Sequence, residues 1–160
     1  MDPDLAARPP TLKVPLHPAL LLLLFLGCGA TLGRWLPQPL GLAAPWRLWV
    51  PGTVLLAAFS LLGWSLWTFW RHRASPEYGD PVLVLLRTGP YRFSRNPLFI
   101  TNALLYTGLA LALDNLWAVC LVPGLVFALD RVVSTREEPF LVERFGEAYA
   151  DYRRQVRRWL

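Results

Sequence analysis

The chain has 160 residues, of which 54% are hydrophobic, and its formal net charge is +5. The length predicts one domain, and the apolar residues are bunched into long runs instead of recurring at the periods of a soluble core. Basic residues cluster beside these runs, where anionic lipid attracts each of them by about 1 kcal/mol. Membrane topology therefore accounts for the charge without nucleic-acid binding. Cys28 and Cys120 lie in separate apolar runs, which predicts neither a disulfide framework nor a metal site.

Residues 1–15 carry four prolines and no periodicity, which predicts a loose cytoplasmic leader. Residues 16–160 are predicted to form a single membrane domain of the all-α class with about four transmembrane helices. A transmembrane helix needs about 20 apolar residues, with about 17 as the lower limit. The second run meets this requirement, the first and fourth come close, and the third is short. In chain order, the predicted spans are Leu16–Leu32, Pro51–Trp70, Leu98–Leu113 and Leu116–Val133.

The first span has two interpretations. The string Phe25-Leu26-Gly27-Cys28 is faintly similar to a lipoprotein cleavage site, which would make the span a cleaved signal peptide. The acidic Asp2 and Asp4, and the apolar run that continues to Gly33-Arg34, favour a retained helix instead. Cleavage would leave the orientation of the later spans unchanged.

Basic residues predict which side of the membrane each segment faces. Only Arg34 and Arg47 lie between the first two spans, and none lies in the Asp114-Asn115 turn. Residues 71–97 and the tail 134–160 are therefore predicted to be cytoplasmic, together with both termini. The basic residues that carry this prediction are Arg71, Arg73, Arg87, Arg92, Arg95, Arg131, Arg136, Arg144, Arg153, Arg154, Arg157 and Arg158.

The third and fourth spans are separated only by Asp114-Asn115, which predicts a tight helical hairpin, with two re-entrant halves as the alternative. Before them, residues 71–97 contain too many prolines and glycines for a long helix. Loops of this length in compact proteins tend to be functional or disordered. The segment is predicted to be a cytosolic loop that carries part of a site.

Polar residues are concentrated where this loop meets the third span. Pro97 suits the first turn of a helix, and Asn96 then lies near the N-cap, a position that asparagine favours. This structural interpretation does not explain Arg92 and Arg95 just before it. A helix N-terminus attracts carboxylates, so the junction is a candidate anion site. Asn102, inside the span, either packs against a neighbouring helix or lines a pocket.

The tail begins with acids and continues as an amphipathic helix over 134–160, in which Gly146 is a candidate break. The acids could form a solvated ion-pair face, but opposite an arginine-bearing loop they predict a site with both signs of charge. The apolar stripe fits either a membrane-surface anchor or the wall of a cytosol-facing pocket. The acid side comprises Asp130, Ser134, Glu137 and Glu138, and the stripe comprises Leu141, Phe145, Tyr149, Tyr152, Val156 and Trp159.

The two polar segments resemble the two sequence blocks of the isoprenylcysteine carboxyl methyltransferase and phospholipid methyltransferase superfamily. The first block is matched by Gly89-Pro90-Tyr91-Arg92 and Arg95-Asn96-Pro97-Leu98-Phe99. The similarity covers about residues 60–160. The second block is matched by Glu137-Glu138, Leu141, Phe145-Gly146, Tyr149, Tyr152, Val156, Arg158 and Trp159.

This resemblance implies an integral-membrane enzyme that uses S-adenosylmethionine in a cytosol-facing pocket and takes a lipophilic acceptor from the bilayer, without a metal. It makes Arg95 and Asn96 the candidate catalytic residues. The cofactor-binding candidates are Gly89, Pro90, Tyr91, Arg92, Asn96, Pro97, Phe99, Glu137 and Glu138.

The chain departs from the superfamily pattern at three places. Asn96 stands where eukaryotic members often have histidine, and Phe99 where tyrosine is common, so contacts through these side chains are expected to differ. The Gly-x-Gly element of phospholipid N-methyltransferases is missing, with Gly63 alone. The expected acceptor is therefore an isoprenylcysteine-type carboxylate or a related small lipophile. A phospholipid N-methyltransferase and a non-catalytic membrane interaction module remain the alternatives.

Overall fold

The computed structural model describes residues 18–72, 84–131 and 135–159, and none of these residues lies in a β-strand. The predicted all-α class is confirmed. The leader 1–15, Ser134 and parts of the 71–97 loop and of the fourth predicted span lie outside the described residues. The helices are α1 (Pro18–Trp35), α2 (Trp46–Arg71), a 3₁₀ helix (Gly89–Arg92), α3 (Pro97–Ala112), α4 (Leu116–Cys120), α5 (Val122–Leu129), α6 (Thr135–Phe145) and α7 (Glu147–Gln155).

Helices α1 and α2 are long and apolar enough to cross a membrane. At a rise of about 1.5 Å per residue, the 26 residues of α2 span about 39 Å, against about 30 Å for the hydrocarbon core. Large apolar side chains such as Leu23, Leu56 and Phe59 are exposed along both helices. These surfaces suit lipid better than water, as the first two predicted spans require.

The other two predicted spans are shorter. Helix α3 has 16 residues, and the fourth predicted span is interrupted at Leu121, which separates α4 from α5. The interruption precedes Pro123, which lacks the backbone N–H that would continue the helical hydrogen bonds. The fourth predicted span thus consists of two short helices in its described part, and the four-span count and the membrane hairpin stay predictions.

Helix α3 lies at the centre of the bundle and contacts α1, α2, α4 and α5. Tyr106 is fully buried on it and donates its hydroxyl to the Ala118 carbonyl at 2.9 Å. Close helix approach depends on small residues: a Cβ on Gly108 would lie 2.7 Å from Leu55, and one on Gly29 2.8 Å from Ala118. Small residues serve this purpose where helices associate inside lipid.

The C-terminal end of α3 is joined to the 36–40 loop by residues 113–117, which we call the 113–117 turn. Asp114 accepts a hydrogen bond from the Leu40 amide at 3.0 Å, and Trp117 donates to the Leu36 carbonyl at 2.7 Å. Asn115 caps α4 through the Ala118 amide and donates to the Gly29 carbonyl at 2.8 Å. The turn holds three segments together mainly through hydrogen bonds to backbone groups.

The tail is two helices instead of one. Gly146, the candidate break, separates α6 from α7 and has a positive φ of 50°, a conformation that glycine adopts without steric cost. Helix α7 ends at Gln155, and Val156 is extended with φ −122° and ψ 129°. The last two members of the predicted stripe, Val156 and Trp159, therefore lie beyond the helix, and the chain turns back towards α3.

Candidate functional site

The 3₁₀ helix places the first polar block against the end of α2. Gly89 has a φ of +59°, and a Cβ at this position would lie 2.5 Å from the hydroxyl of Thr68. The Tyr91 ring packs edge-on against Phe69 with 5.7 Å between the ring centroids. Only glycine allows this close approach in this backbone conformation, so Gly89 fixes the position of the residues that follow.

The end of the tail is hydrogen-bonded to the segment that precedes α3. The Arg95 amide donates to the Arg157 carbonyl at 2.9 Å, and the Ser94 hydroxyl donates to the Arg158 carbonyl at 2.9 Å. Ser94 also accepts from the Asn96 amide at 3.1 Å. We call this meeting of residues 94–96 with the tail the α3 junction. The periodicity of the tail did not predict that its last residues return to this point.

Four charged side chains form a cluster at the α3 junction. Arg95 Nη1 lies 2.6 Å from Glu138 Oε1, and the side chains of this pair are only 11% and 15% exposed. Arg158 binds the same carboxylate through two nitrogens, at 2.6 Å and 3.1 Å. It also donates to Asp130 at 3.2 Å, and hydrogen bonding to Glu138 is the main reason that its pKa is raised. Glu138 is thus neutralised by two guanidinium groups.

Asp130 connects this cluster to the end of the bundle. The indole of Trp159 donates to Asp130 Oδ1 at 2.9 Å, and the Trp159 ring packs against Phe99 with 6.4 Å between centroids. The sequence placed Asp130 on the acid side of the tail and Arg158 among the basic residues that predict topology, but it did not predict that the two would pair. The sequence feature that could have predicted this pair is the row of acidic residues on one side of the tail, because their negative charge requires a basic residue nearby.

Glu137 differs from its neighbour Glu138. It is half-buried, and none of the described residues forms a hydrogen bond or ion pair with it. Burial, with a smaller effect of the adjacent Glu138 charge, raises the pKa of Glu137 to about 8. Burial is also the main cause of the raised pKa of Tyr91, to which Tyr152 and Glu137 contribute. Glu137 and Tyr91 are therefore close enough to interact electrostatically.

Two tyrosines of α7 close the α3 junction from the tail side. Tyr152 donates its hydroxyl to the Tyr91 carbonyl at 2.7 Å, and Arg95 donates to the Tyr149 hydroxyl at 3.3 Å. Both tyrosines are buried, and burial raises the pKa of each. The aromatic face of α7 therefore packs against its own protein, which matches the wall interpretation of the stripe.

The structure brings some of the candidate residues together and leaves others apart. Tyr91, Arg95, Glu137 and Glu138 meet at the α3 junction. Arg92 is exposed, lies over the Phe93 ring at 6.0 Å and forms no ion pair with a described residue. Pro90, Pro97 and Phe99 are buried, so packing accounts for them without a ligand.

Asn96 occupies the N-cap position of α3, but its side chain forms no capping hydrogen bond. Its amide group has no hydrogen-bond partner among the described residues. Nearby, the Nε atom of Arg95 is buried and also lacks a partner. Asn102 instead donates to the Leu98 carbonyl of its own helix at 3.0 Å. A buried polar atom without a partner, such as Arg95 Nε, is uncommon in native structures and calls for an explanation.

Comparison with known proteins gives one match. The family model described as "Phospholipid methyltransferase" matches residues 46–148, from the start of α2 into α7, and so includes the first polar block and the beginning of the second. No curated protein and no solved structure matches the chain. In the described part of the chain, no group of three or more His, Cys, Asp or Glu residues could hold a metal ion.

Proposed function

The chain belongs to the phospholipid methyltransferase family, and we propose that it transfers a methyl group from S-adenosylmethionine to a lipophilic acceptor at a membrane surface. The family match confirms the resemblance to the wider isoprenylcysteine and phospholipid methyltransferase superfamily. Two apolar helices of membrane-spanning length agree with a membrane protein. The cofactor, the acceptor and the residues that hold them are proposals.

The observation that carries the proposal is the unused bonding capacity at the α3 junction. Arg95 Nε and the Asn96 amide can still donate hydrogen bonds, and Glu137 can still pair with a cation. S-adenosylmethionine carries a carboxylate, an ammonium group and a sulfonium, so it offers partners of both signs. The residues present at the junction therefore fit this cofactor.

We assign the anion-binding part to Arg95 and Asn96. Asn96 is the N-cap of α3, where free backbone N–H groups and the helix dipole favour negative charge. Arg95 keeps its position because Nη1 is held by Glu138 and the backbone N–H by Arg157. Gly89 and Tyr91 would line the opposite side, while Arg92, which is exposed, would meet lipid phosphate at the rim.

When bound, S-adenosylmethionine would supply a methyl group activated by the positive charge of its sulfonium. The protein mainly has to align the two reactants, and good alignment can lower a barrier by roughly 7–11 kcal/mol. The ionic cluster of Arg95, Glu138 and Arg158 serves this purpose, since it holds α3, α6 and the tail end in one arrangement. The tyrosines of α7 exclude water from the same junction.

For the acceptor, we propose an isoprenylcysteine-type carboxylate or a related small lipophile. A carboxylate needs no base before methylation, whereas an ammonium group must first lose a proton. The missing Gly-x-Gly element agrees with this choice. The second candidate is a phospholipid amine, which the description of the matching family favours.

We also propose four membrane spans with both termini and the α3 junction on the cytoplasmic side, as the basic residues predict. Single cysteines at Gly79 and Ala150, introduced after removal of Cys28 and Cys120, should label from the same side in intact spheroplasts or right-side-out vesicles. Labelling from opposite sides would refute this topology.

The function is tested with purified protein in lipid nanodiscs. Calorimetry should detect S-adenosylmethionine binding, and methyl-labelled donor should label either an S-farnesylated cysteine analogue or phosphatidylethanolamine. Alkali releases the label as methanol from a methyl ester but not from a methylated amine, so one treatment separates the two acceptor classes. A folded protein that binds no donor would support the non-catalytic alternative and overturn the proposal.

A further inference from the structure

We propose that Arg158 is a positioning residue for the donor site: it pairs with both oxygens of Glu138 and thereby keeps the Nε atom of Arg95 available for the carboxylate of the donor. This inference rests on the proposed function, because it concerns how the arginine of the α3 junction is kept ready for its ligand. It goes beyond holding the fold together, since it assigns to Arg158 an effect on which ligand the site prefers.

The two arginines at Glu138 bind it in different ways. Arg158 forms a bidentate pair, with Nη2 at 2.6 Å from Oε2 and Nε at 3.1 Å from Oε1. Arg95 contacts only Oε1, through Nη1 at 2.6 Å. Two parallel hydrogen bonds are the arrangement that guanidinium and carboxylate groups favour. Arg158 therefore forms the more complete pair, and Arg95 is left with a single bond to the carboxylate.

This unequal sharing accounts for the unpaired atom of Arg95. Its Nη1 donates to Glu138 and to the Tyr149 hydroxyl, whereas its Nε is buried without a partner among the described residues. Without Arg158, Oε2 of Glu138 would lose its partner, and the carboxylate would be free to turn and bind Arg95 through two nitrogens. Nε would then be paired inside the protein instead of being offered to a ligand.

Arg158 is itself fixed from two sides. Its Nη1 donates to Asp130, the C-cap residue of α5, at 3.2 Å and 3.4 Å from the two oxygens. All three nitrogens of Arg158 are thus bound to carboxylates. Its backbone carbonyl also accepts from the Ser94 hydroxyl at 2.9 Å. Arg158 can therefore hold Glu138 in one orientation relative to the start of α3.

The charges of the cluster are balanced, because two carboxylates face two guanidinium groups. What the cluster offers to a ligand carboxylate is therefore a directed hydrogen bond from Arg95 Nε and not net charge. Lysine at position 158 would keep this balance, but a single ammonium group lacks the planar fork that binds a carboxylate through two nitrogens. Arg158→Lys thus changes the geometry of the cluster without changing its charge.

The test measures affinity by calorimetry in nanodiscs for S-adenosylmethionine and for decarboxylated S-adenosylmethionine, which keeps the sulfonium and the amino group. The parent should bind the donor about tenfold to a hundredfold more tightly than the analogue, as for one charge-assisted hydrogen bond. Arg158→Lys should reduce this ratio to less than about threefold by weakening the donor alone. Arg154→Lys is the matched control, because Arg154 is exposed and pairs with Asp151, and it should keep the parent ratio.

Kinetics separate positioning from a loss of folded protein. Since Arg158 does not touch the reacting groups, Arg158→Lys should raise KM for the donor and leave kcat at saturation within about threefold of the parent. Equal weakening of donor and analogue would show that Arg158 acts only on the fold, and this result would overturn the inference.

Asp130→Asn gives a second test, which also serves if Arg158→Lys does not fold. It removes the charge that anchors Arg158 but leaves the pair with Glu138, so the ratio should fall by about twofold to fivefold. An unchanged ratio in the folded variants would overturn the inference. A parent ratio near one would do so as well, because Arg95 would then not bind the donor carboxylate. Absence of donor binding by the folded parent would instead overturn the proposed function.

Discussion

The two ends of α3 are both polar, but they differ in how completely their polar groups are paired. At the 113–117 turn, Asn115 uses both atoms of its amide and Asp114 accepts from the Leu40 amide. At the α3 junction, Arg95 Nε, the Asn96 amide and Glu137 have no partner among the described residues. Polar residues in an apolar protein thus do not by themselves mark a site. Unused bonding capacity is the better criterion.

The difference between the two ends of α3 affects the stability of the fold. A buried polar group without a partner costs about 1–3 kcal/mol, and Arg95 Nε is such a group among the described residues. Proteins tend to accept such a cost where function requires it. At the other end of α3 no such requirement exists, and the same residue types serve as caps and backbone acceptors.

Replacing Glu138 should have the largest effect on stability. In Glu138→Ala two guanidinium groups would lose their shared carboxylate, and breaking a mostly buried ion pair costs about 3–5 kcal/mol. Chemical unfolding in detergent measures the loss. Asp151→Ala is the matched control, because it removes the exposed ion pair with Arg154 and should cost less than about 1 kcal/mol. Equal losses would mean that the cluster is only a surface ion pair.

The second prediction concerns Arg95 and Arg92 as a matched pair. Arg95→Lys keeps the charge but loses the planar fork, so we expect methyl transfer in lipid to fall about tenfold to a hundredfold, as for the loss of a charge-assisted contact. Arg92→Lys should reduce it less than about twofold, because Arg92 is exposed and has no ion pair. Turnover and apparent cofactor affinity separate the two. If Arg95→Lys matches the parent in both, Arg95 acts only as a topology signal.

The third prediction concerns the fully paired end of α3, the 113–117 turn. Asn115→Ala removes the cap of α4 and the bond to the Gly29 carbonyl, which should lower stability by about 1–2 kcal/mol. Donor affinity per folded molecule should stay unchanged, because the turn lies at the far end of α3. Unfolding and calorimetry on the same preparation check this. A loss of affinity equal to that of Glu137→Gln would show that both ends serve the site.

Much of this architecture could be predicted because its signals are local. Apolar run length predicted helices over α1 and α2, and Asn96-Pro97 predicted the start of α3. The cluster could not be predicted, because Asp130 and Arg158 are 28 residues apart and meet only after the chain leaves α7 and turns back. The apolar periodicity predicted a tail helix through Trp159, whereas α7 ends at Gln155. Periodicity does not show where a helix ends because a distant contact draws the chain away.

The smallest expected effect, and the most specific, is the pH dependence of stability at Glu137. Its pKa is raised from the ordinary value of 4.5 to about 8 in the folded protein, mainly by burial, so the folded state binds this proton more tightly. The contribution is present below pH about 4.5 and is lost as the pH rises through about 8. Glu137→Gln cannot ionise, so it should match the parent at pH 4.5 and exceed it at pH 8.5. Because the group is partly solvated, the gain should not exceed about 1 kcal/mol.

Unfolding of both proteins at several pH values between 4.5 and 8.5 measures this difference, with Glu143→Gln, which replaces an exposed glutamate of the same helix, as the control that should follow the parent. A variant that is more stable above neutral pH yet binds the donor more weakly would show that the same carboxyl group destabilises the fold and binds the donor. The unpaired carboxyl group would then be a cost to the fold that only a cationic ligand offsets. A variant that loses stability at pH 8.5 would mean that Glu137 already has a partner in the folded protein. The α3 junction would then be as fully paired as the 113–117 turn at this position.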